Sequence, residues 1–301
     1  MPLRPSCAAP RFRSGSISAS GRGAGPSIPA ISPRNMSRSM AITEAEKMRQ
    51  LAVVRRLEAA GFRAWPASST GFDGTWAVRV TASFPAKRLN SVNPLDPSDN
   101  SDIPSRLQRA AKTFAEHGRS IMVRQSPLAP PDLVAHLDEK GWSRFDESLV
   151  MTADLGSLDL AGQVDRIPIR DMNRYVEASL AVHERAAALR SGLTGVLESI
   201  RPPTGLFIRE NKDGSPVAVA LAIHDNDLAG LLDVAVHRTE RQRGVGRDLV
   251  KTALRYTAHK GARTAWVQVE ADNAAGLSLY RSLGFNEAYR YVYRAPPGGG
   301  A

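Results

Sequence analysis

The chain carries one cysteine, Cys7, in 301 residues. That scarcity excludes an internal disulfide, a thiolate zinc cluster and a cysteine nucleophile in the folded part, so a reducing, cytoplasmic compartment is expected and no metal site is. No apolar run approaches the ~20 residues that a membrane-crossing helix needs, and no membrane partner is expected. Acidic residues are missing from the first 40 positions, which hold six arginines, so the formal charge of +10 falls to +4 for the remainder. A balance that small serves an anionic cofactor as well as a polynucleotide, and without a basic-aromatic motif no nucleic-acid partner is expected. What is present is 42% hydrophobic residues, enough for a sizeable core and, at ~150 residues per domain, for about two domains.

Residues 1–40 are rich in Arg, Ser, Pro and Gly without apolar periodicity and are expected to be a disordered tail. They read either as an organelle transit segment or as the product of an upstream start codon, with Met36 or Met40 as the true beginning. The Pro and Gly content favours the second. From residue 41 the pattern predicts a helix over 41–60 stopped by Gly61, strands near 75–80 and 88–92, and a helix over 104–117 with Asp102 as capping candidate and Gly118 as stop. A strand at 121–125, a helix over 131–140 ended by Gly141 and a strand at 147–152 complete an αβ unit. A linker near 155–165 follows. The second half predicts helices over 172–189 and 193–200, strands at 205–209, 217–224 and 231–236, and a helix over 246–259. A strand at 264–270, a helix over 274–282 and a strand at 287–293 end it. The fold class is thus α/β (α+β), with mixed central sheets flanked by helices.

Sliding the halves by 143 positions superposes this order without a gap. Gly118 falls on Gly261, Gln125 on Gln268 and Gly141 on Gly284. An internal repeat is expected, though its chemistry is not duplicated. Gly244-Val-Gly246 falls opposite Ser101-Asp-Ile103, Asn273 opposite Pro130, and Tyr280 opposite Leu137. The polar run 87–95, with Arg88, Asn90 and Asn93, is expected to line a cleft between the halves or to form an edge strand.

The apolar strand ending Val234-Ala-Val236 leads through Arg241-Gln-Arg-Gly244-Val-Gly246-Arg247 into a helix. Glycines let bare backbone N–H groups approach a ligand, and the helix start adds unpaired donors and a positive dipole end, so the turn is an anion cradle. It lacks the Gly-Lys-Ser/Thr ending of a P-loop. Asn273 stands at the start of the next helix and is a good N-cap. Tyr280 lies with Leu277 and Leu283 at helical spacing, as part of a core stripe or as a functional phenol.

Together the glycine run, the Asn, the Tyr seven residues later and the Leu283-Gly-Phe285 helix stop resemble the GNAT superfamily of acyl-CoA-dependent N-acetyltransferases. The resemblance spans about 167–294 and makes the first half look like a degenerate copy. It implies two tandem acyl-CoA N-acyltransferase-like domains: a degenerate one over 41–154 and a catalytic one over 166–295, with 296–301 a flexible end. It also implies that acetyl-CoA is co-substrate. Its pyrophosphate would sit on the backbone of Gln242, Arg243, Gly244, Val245, Gly246 and Arg247, with Arg241 among the neutralising side chains, and its pantetheine beside Val234, Ala235 and Val236. Asn273 would touch the cofactor as well as cap its helix. Tyr280 would protonate the leaving thiolate. Gln268 stands where relatives acting on protein N-termini often have Glu, and an amide cannot take a proton. Glu270, two residues on and on the same side of the strand, is the preferred base; Asp233, His237 and a water chain are rivals. The acceptor is a small-molecule amine or a protein N-terminus. The alternative is a non-catalytic acyl-CoA-binding or scaffolding protein. The row Tyr289, Tyr291, Tyr293 on one strand face either walls an acceptor cleft or packs between the halves.

Overall fold

The computed structural model describes residues 33–160 and 167–299, with side chains from Glu44 onward. The predicted disorder of 1–32 and the linker at 161–165 lie outside the described residues, whereas 33–40 are helical. Contacts divide the chain into 1–45 and a compact unit, Glu46–Ala301, which is described from here on.

Among the described residues ten strands form one sheet. Their ranges are β1 (Ser69–Asp73), β2 (Trp76–Val80), β3 (Ser91–Pro94), β4 (Val123–Gln125), β5 (Ser143–Asp154), β6 (Thr204–Glu210), β7 (Pro216–Asp225), β8 (Leu228–Val236), β9 (Thr264–Glu270) and β10 (Asn286–Ala295). The helices are α1 (Pro33–Ala64), α2 (Ile103–Glu116), α3 (Pro131–Glu139), α4 (Met172–Val182), α5 (Arg190–Glu198), α6 (Val245–His259) and α7 (Ala274–Ser282). Several expectations need correction, among them the helix over 172–189, which stops at Val182 and is followed by a separate 3-10 turn, Ala187–Leu189. The first helix runs through Gly61 to Ala64, because Ala60, Ala64 and Trp65 are buried and outweigh the propensity penalty of one glycine. Residues Lys87–Leu89 form a 3-10 turn, and the strand begins at Ser91.

The sheet order is β1-β2-β3-β4-β10-β5-β9-β8-β7-β6. Each half contributes an antiparallel run followed by one parallel pair, β3 with β4 and β8 with β9. The last strands are exchanged: β10 pairs with β4, and β5 pairs with β9. The first half is therefore not the complete αβ unit that its sequence suggests, and a boundary at 154 to 166 follows the chain and not the sheet.

The repeat is visible in the hydrogen bonds. Helices α2, α3, α6 and α7 end on left-handed glycines, Gly118, Gly141, Gly261 and Gly284. Arg119 N–H bonds Phe114 O as Ala262 bonds Thr257, and Trp142 bonds Leu137 as Phe285 bonds Tyr280, each pair 143 residues apart. Exchanged strands related by a two-fold axis must bring equivalent residues together at that axis. Ser148 pairs with Tyr291, and these are equivalents at the same offset.

Three apolar clusters hold the unit together. One joins α2 and α3 to Trp76, Val92 and Val123; a second joins α6 and α7 to Ala265, Val267 and Val269 of β9; a third joins α1, α4 and α5 to Trp266, Val150 and the β10 tyrosines. Along β9 the odd positions thus face α6 and α7, and Trp266 faces α1. By alternation Gln268 and Glu270 lie on the α1 side.

Candidate active site

The strands β8 and β9 are paired from Leu228↔Thr264 to Leu231↔Val267 and no further, although both continue. Their separation starts at a bulge. Val219 and Leu221 of β7 oppose Ala235 and Leu232, so β8 carries one extra residue, and Asp233 there has φ 48°. The Asp233 carboxylate is buried against α4, where it accepts from Ser179 Oγ at 2.6 Å and Tyr175 OH at 3.2 Å. Arg185 Nη1 lies at 3.1 Å and His183 Nε2 at 2.9 Å. Burial opposes its charge, but the neighbouring His183, Arg185 and Ser179 outweigh that and hold the carboxyl below its usual range. Three hydrogen bonds, from Ser179, Tyr175 and Arg185, already engage its two oxygens, so Asp233 shapes the bulge and is not a free base.

Past the bulge, Val234, Ala235 and Val236 are half-buried and have no β9 partner. Their unpaired edge can accept an added strand. At its mouth Gly244 caps α6 with φ 80°, and Gln242 also has φ 61°. The first bond of α6 runs from Asp248 N–H to Gly244 O at 3.0 Å, which leaves the preceding amides without helix partners. At Gly246 a Cβ would lie 3.1 Å from Val236 Cγ2, so the glycine lets α6 start against the end of β8. Arg241 Nε bonds Val236 O at 3.1 Å, Arg243 pairs with Glu240 at 3.1 Å, and Arg247 bonds Ser282 Oγ at 2.7 Å. These arginines ring the turn on its exposed side, beside Val245.

Asn273 caps α7, its Oδ1 accepting from Gly276 N–H at 2.9 Å. Asn273→Ala is expected to lower stability by about 1 kcal/mol, measured by denaturant unfolding. Tyr280 is 5% exposed and stacks edge-on against Phe285, with ring centroids 5.4 Å apart. Among the described residues no group bonds its hydroxyl. Burial pushes the phenol above its ordinary value, so it stays protonated. The site thus brings together a strand edge, a glycine turn at a helix N-terminus and a protonated phenol on adjoining elements.

Glu270 is exposed at the end of β9, in register with Ser148. His237 bonds Thr239 Oγ1 at 2.9 Å and lies 3.4 Å from Glu184. Gln268 is engaged: Tyr291 OH donates to its Oε1 at 3.0 Å, and Arg88 Nη1 lies at 3.4 Å. The tyrosine row is buried packing. Tyr289 OH donates to Glu58 at 2.5 Å, and the Arg124 guanidinium lies 3.6 Å over the Tyr291 ring. Glu58 and Arg124 form a buried ion pair. Neither was singled out from sequence, although Glu58 lies four residues after Val54 and one after Leu57, within the apolar stripe of α1. In the polar run, Asn90 and Asn93 are buried and bonded to backbone, β3 is internal to the sheet, and Arg88 and Asn93 line a cleft between the halves.

A splayed parallel pair with a glycine turn at its mouth is the architecture of an acetyltransferase. The chain belongs to the family described as "Probable histone acetyltransferase Rv0428c C-terminal", which matches residues 51–294; it is a GNAT-family acetyltransferase. It is 22% identical over 248 residues to an uncharacterised N-acetyltransferase of Bacillus subtilis (strain 168), spanning 80% of this chain and 98% of that one. It is 38% identical over 77 residues to the ribosomal protein bS18-alanine N-acetyltransferase of Escherichia coli (strain K12), a match that spans 26% of this chain and about half, 52%, of the relative. In fold it is similar to a tandem GNAT protein from the clavulanic acid biosynthesis pathway, at TM-score 0.56 and 18% identity, covering 81% of this chain and 88% of that one.

Proposed function

We propose that the second half transfers the acetyl group of acetyl-CoA to an amine by direct attack in a ternary complex, and that the first half has no second transfer site. The observation that carries this reading is the opening beyond Leu231 and Val267, with the Gly244 cradle at one end and Tyr280 on the adjoining helix α7. The residues fit the co-substrate. Val234–Val236 would pair with the pantetheine amides, the N–H groups of 242–247 with the pyrophosphate, and Asn273 would add a contact beside its cap. Glu270 accepts the ammonium proton. The amine nitrogen then bonds to the acetyl carbon, the C–S bond breaks as Tyr280 gives its proton to the departing sulfur, and the second proton of the new amide nitrogen leaves through water to restore the phenol.

The test is thiol release from acetyl-CoA over an amine panel, with CoA binding measured by calorimetry. Binding without release from any amine would favour an acyl-CoA-binding protein instead. Glu270→Gln is expected to lower kcat about 10²-fold near neutral pH. The deficit should shrink as pH rises, because alkaline solution supplies the free amine without a base. A pH-independent deficit would assign Glu270 a structural role.

A further inference from the structure

A narrow cleft opens at the point where β8 and β9 part. Leu232 and Gln268, the first residues beyond the last β8–β9 pair, lie at its floor, with Trp266 beside them. Its other walls come from the C-terminal end of α1, at Gly61, Phe62 and Trp65, and from the first half, at Arg79, Arg88 and Arg124. A Cβ on Gly61 would lie 3.3 Å from Gln268 Nε2, so the helix closes directly over the apex.

The charges in this cleft do not balance. Its lining holds three guanidinium groups and one carboxylate, Glu58. Glu58 is spent on Arg124 and on Tyr289 OH. Arg79, 3% exposed, gives its Nη atoms to Arg88 O at 2.8 Å and Trp65 O at 2.5 Å, and its plane stacks 4.3 Å from the Phe62 ring. The Nε atoms of Arg79 and Arg124 are buried without a partner. Burial and Arg124 together lower the Arg79 guanidinium to about 10, the sign of a cation short of counter-charge. Arg88 is the accessible member. It is half-buried, its one side-chain bond is the 3.4 Å contact to Gln268 Oε1, and among the described residues no carboxylate pairs with it.

A cleft with net positive charge repels an incoming ammonium unless the acceptor brings its own anion. One accessible guanidinium fork matches one planar carboxylate; a phosphate dianion would need further donors, and Arg79 and Arg124 are both buried. We infer that the acceptor is a small amine that also bears a carboxylate, with Arg88 at the junction of the halves as its carboxylate anchor. This rests on the acetyltransferase reading above. It gives the first half a part in acceptor choice despite its lack of a cradle, and it argues against a lysine-rich peptide tail.

The experiment compares kcat/KM for matched amines: glycine with glycinamide, β-alanine with β-alaninamide, O-phosphoethanolamine with ethanolamine, and a lysine-rich peptide. At least one amino acid should exceed its amide by tenfold or more, and Arg88→Gln should bring that ratio toward one at an unchanged melting temperature. Equal turnover of acids and amides, preference for the phosphate amine or the peptide, or an Arg88→Gln loss that is the same for both members of a pair would overturn the inference. A second arm does not depend on turnover. Calorimetry on the CoA-loaded protein should detect N-acetylglycine or N-acetyl-β-alanine but not the corresponding amides, with the binding lost in Arg88→Gln. If no amine releases thiol but this discrimination persists, the transfer reading fails while the anchor stands. Without discrimination in either arm, the anchor fails.

Discussion

Tyr280→Phe is expected to reduce kcat by about 10²- to 10⁴-fold, the range for loss of a positioned proton donor, while leaving acetyl-CoA affinity within a few-fold of the wild type. The side chain makes this a clean test. Its ring is buried in the α6 and α7 core and stacked on Phe285, and Phe keeps both contacts, so the unfolding midpoint should hardly move. The sign of the pKa shift sets the pH behaviour. Burial raises the phenol, so the protonated donor persists through its ordinary value of 10, and wild-type turnover should not fall off on the alkaline side below that pH through loss of this proton. Stopped assays of thiol release between pH 7 and 10, paired with CoA calorimetry, give both numbers. Unchanged kcat in Tyr280→Phe would leave the tyrosine as a core residue, equivalent in role as well as position to Leu137.

The second large effect is on stability. Glu58→Ala removes the carboxylate that neutralises Arg124 and accepts from Tyr289, stranding a buried guanidinium between α1 and the sheet centre. Breaking one side of such a pair costs about 3–5 kcal/mol, a large share of the stability of most domains. Removing both charges is different. Glu58→Leu with Arg124→Met should recover most of that loss, because both desolvation penalties disappear with the pair. Denaturant unfolding of the single and double variants separates the cases. A loss below ~1 kcal/mol in Glu58→Ala would mean that water reaches Arg124.

Local chemistry was legible in the sequence. The glycine stops other than Gly61, the Asn273 cap, the full extent of α7 and the turn into α6 at Gly244 all follow from short-range rules about φ, capping and helix ends. What was hidden depends on partners distant in the chain. Tyr289, Tyr291 and Tyr293 alternate in the same way whichever strand lies beside them, so nothing local says that β10 joins β4. The Asp233 bulge is invisible because an aspartate in a strand reads as a solvated side chain until Tyr175, Ser179 and Arg185 are brought to it. Asp102 shows the opposite error. It stands at the N-cap of α2, but in a left-handed conformation and without a side-chain cap bond. Gln268 was recognised as a departure from relatives, yet its bonds to Tyr291 and Arg88 needed the first half in place.

The exchanged strands also set an order of assembly. The most C-terminal strand, β10, is fifth of ten across the sheet, between two strands made more than 130 residues earlier. On a ribosome β4 and β5 would wait with open edges while the whole second half is synthesised, and the middle of the sheet can close only when β10 arrives. Such long-range pairing slows folding and leaves strand edges exposed to association with other chains. Nascent chains stalled before residue 286 should therefore be recognised by chaperones that bind open sheet edges.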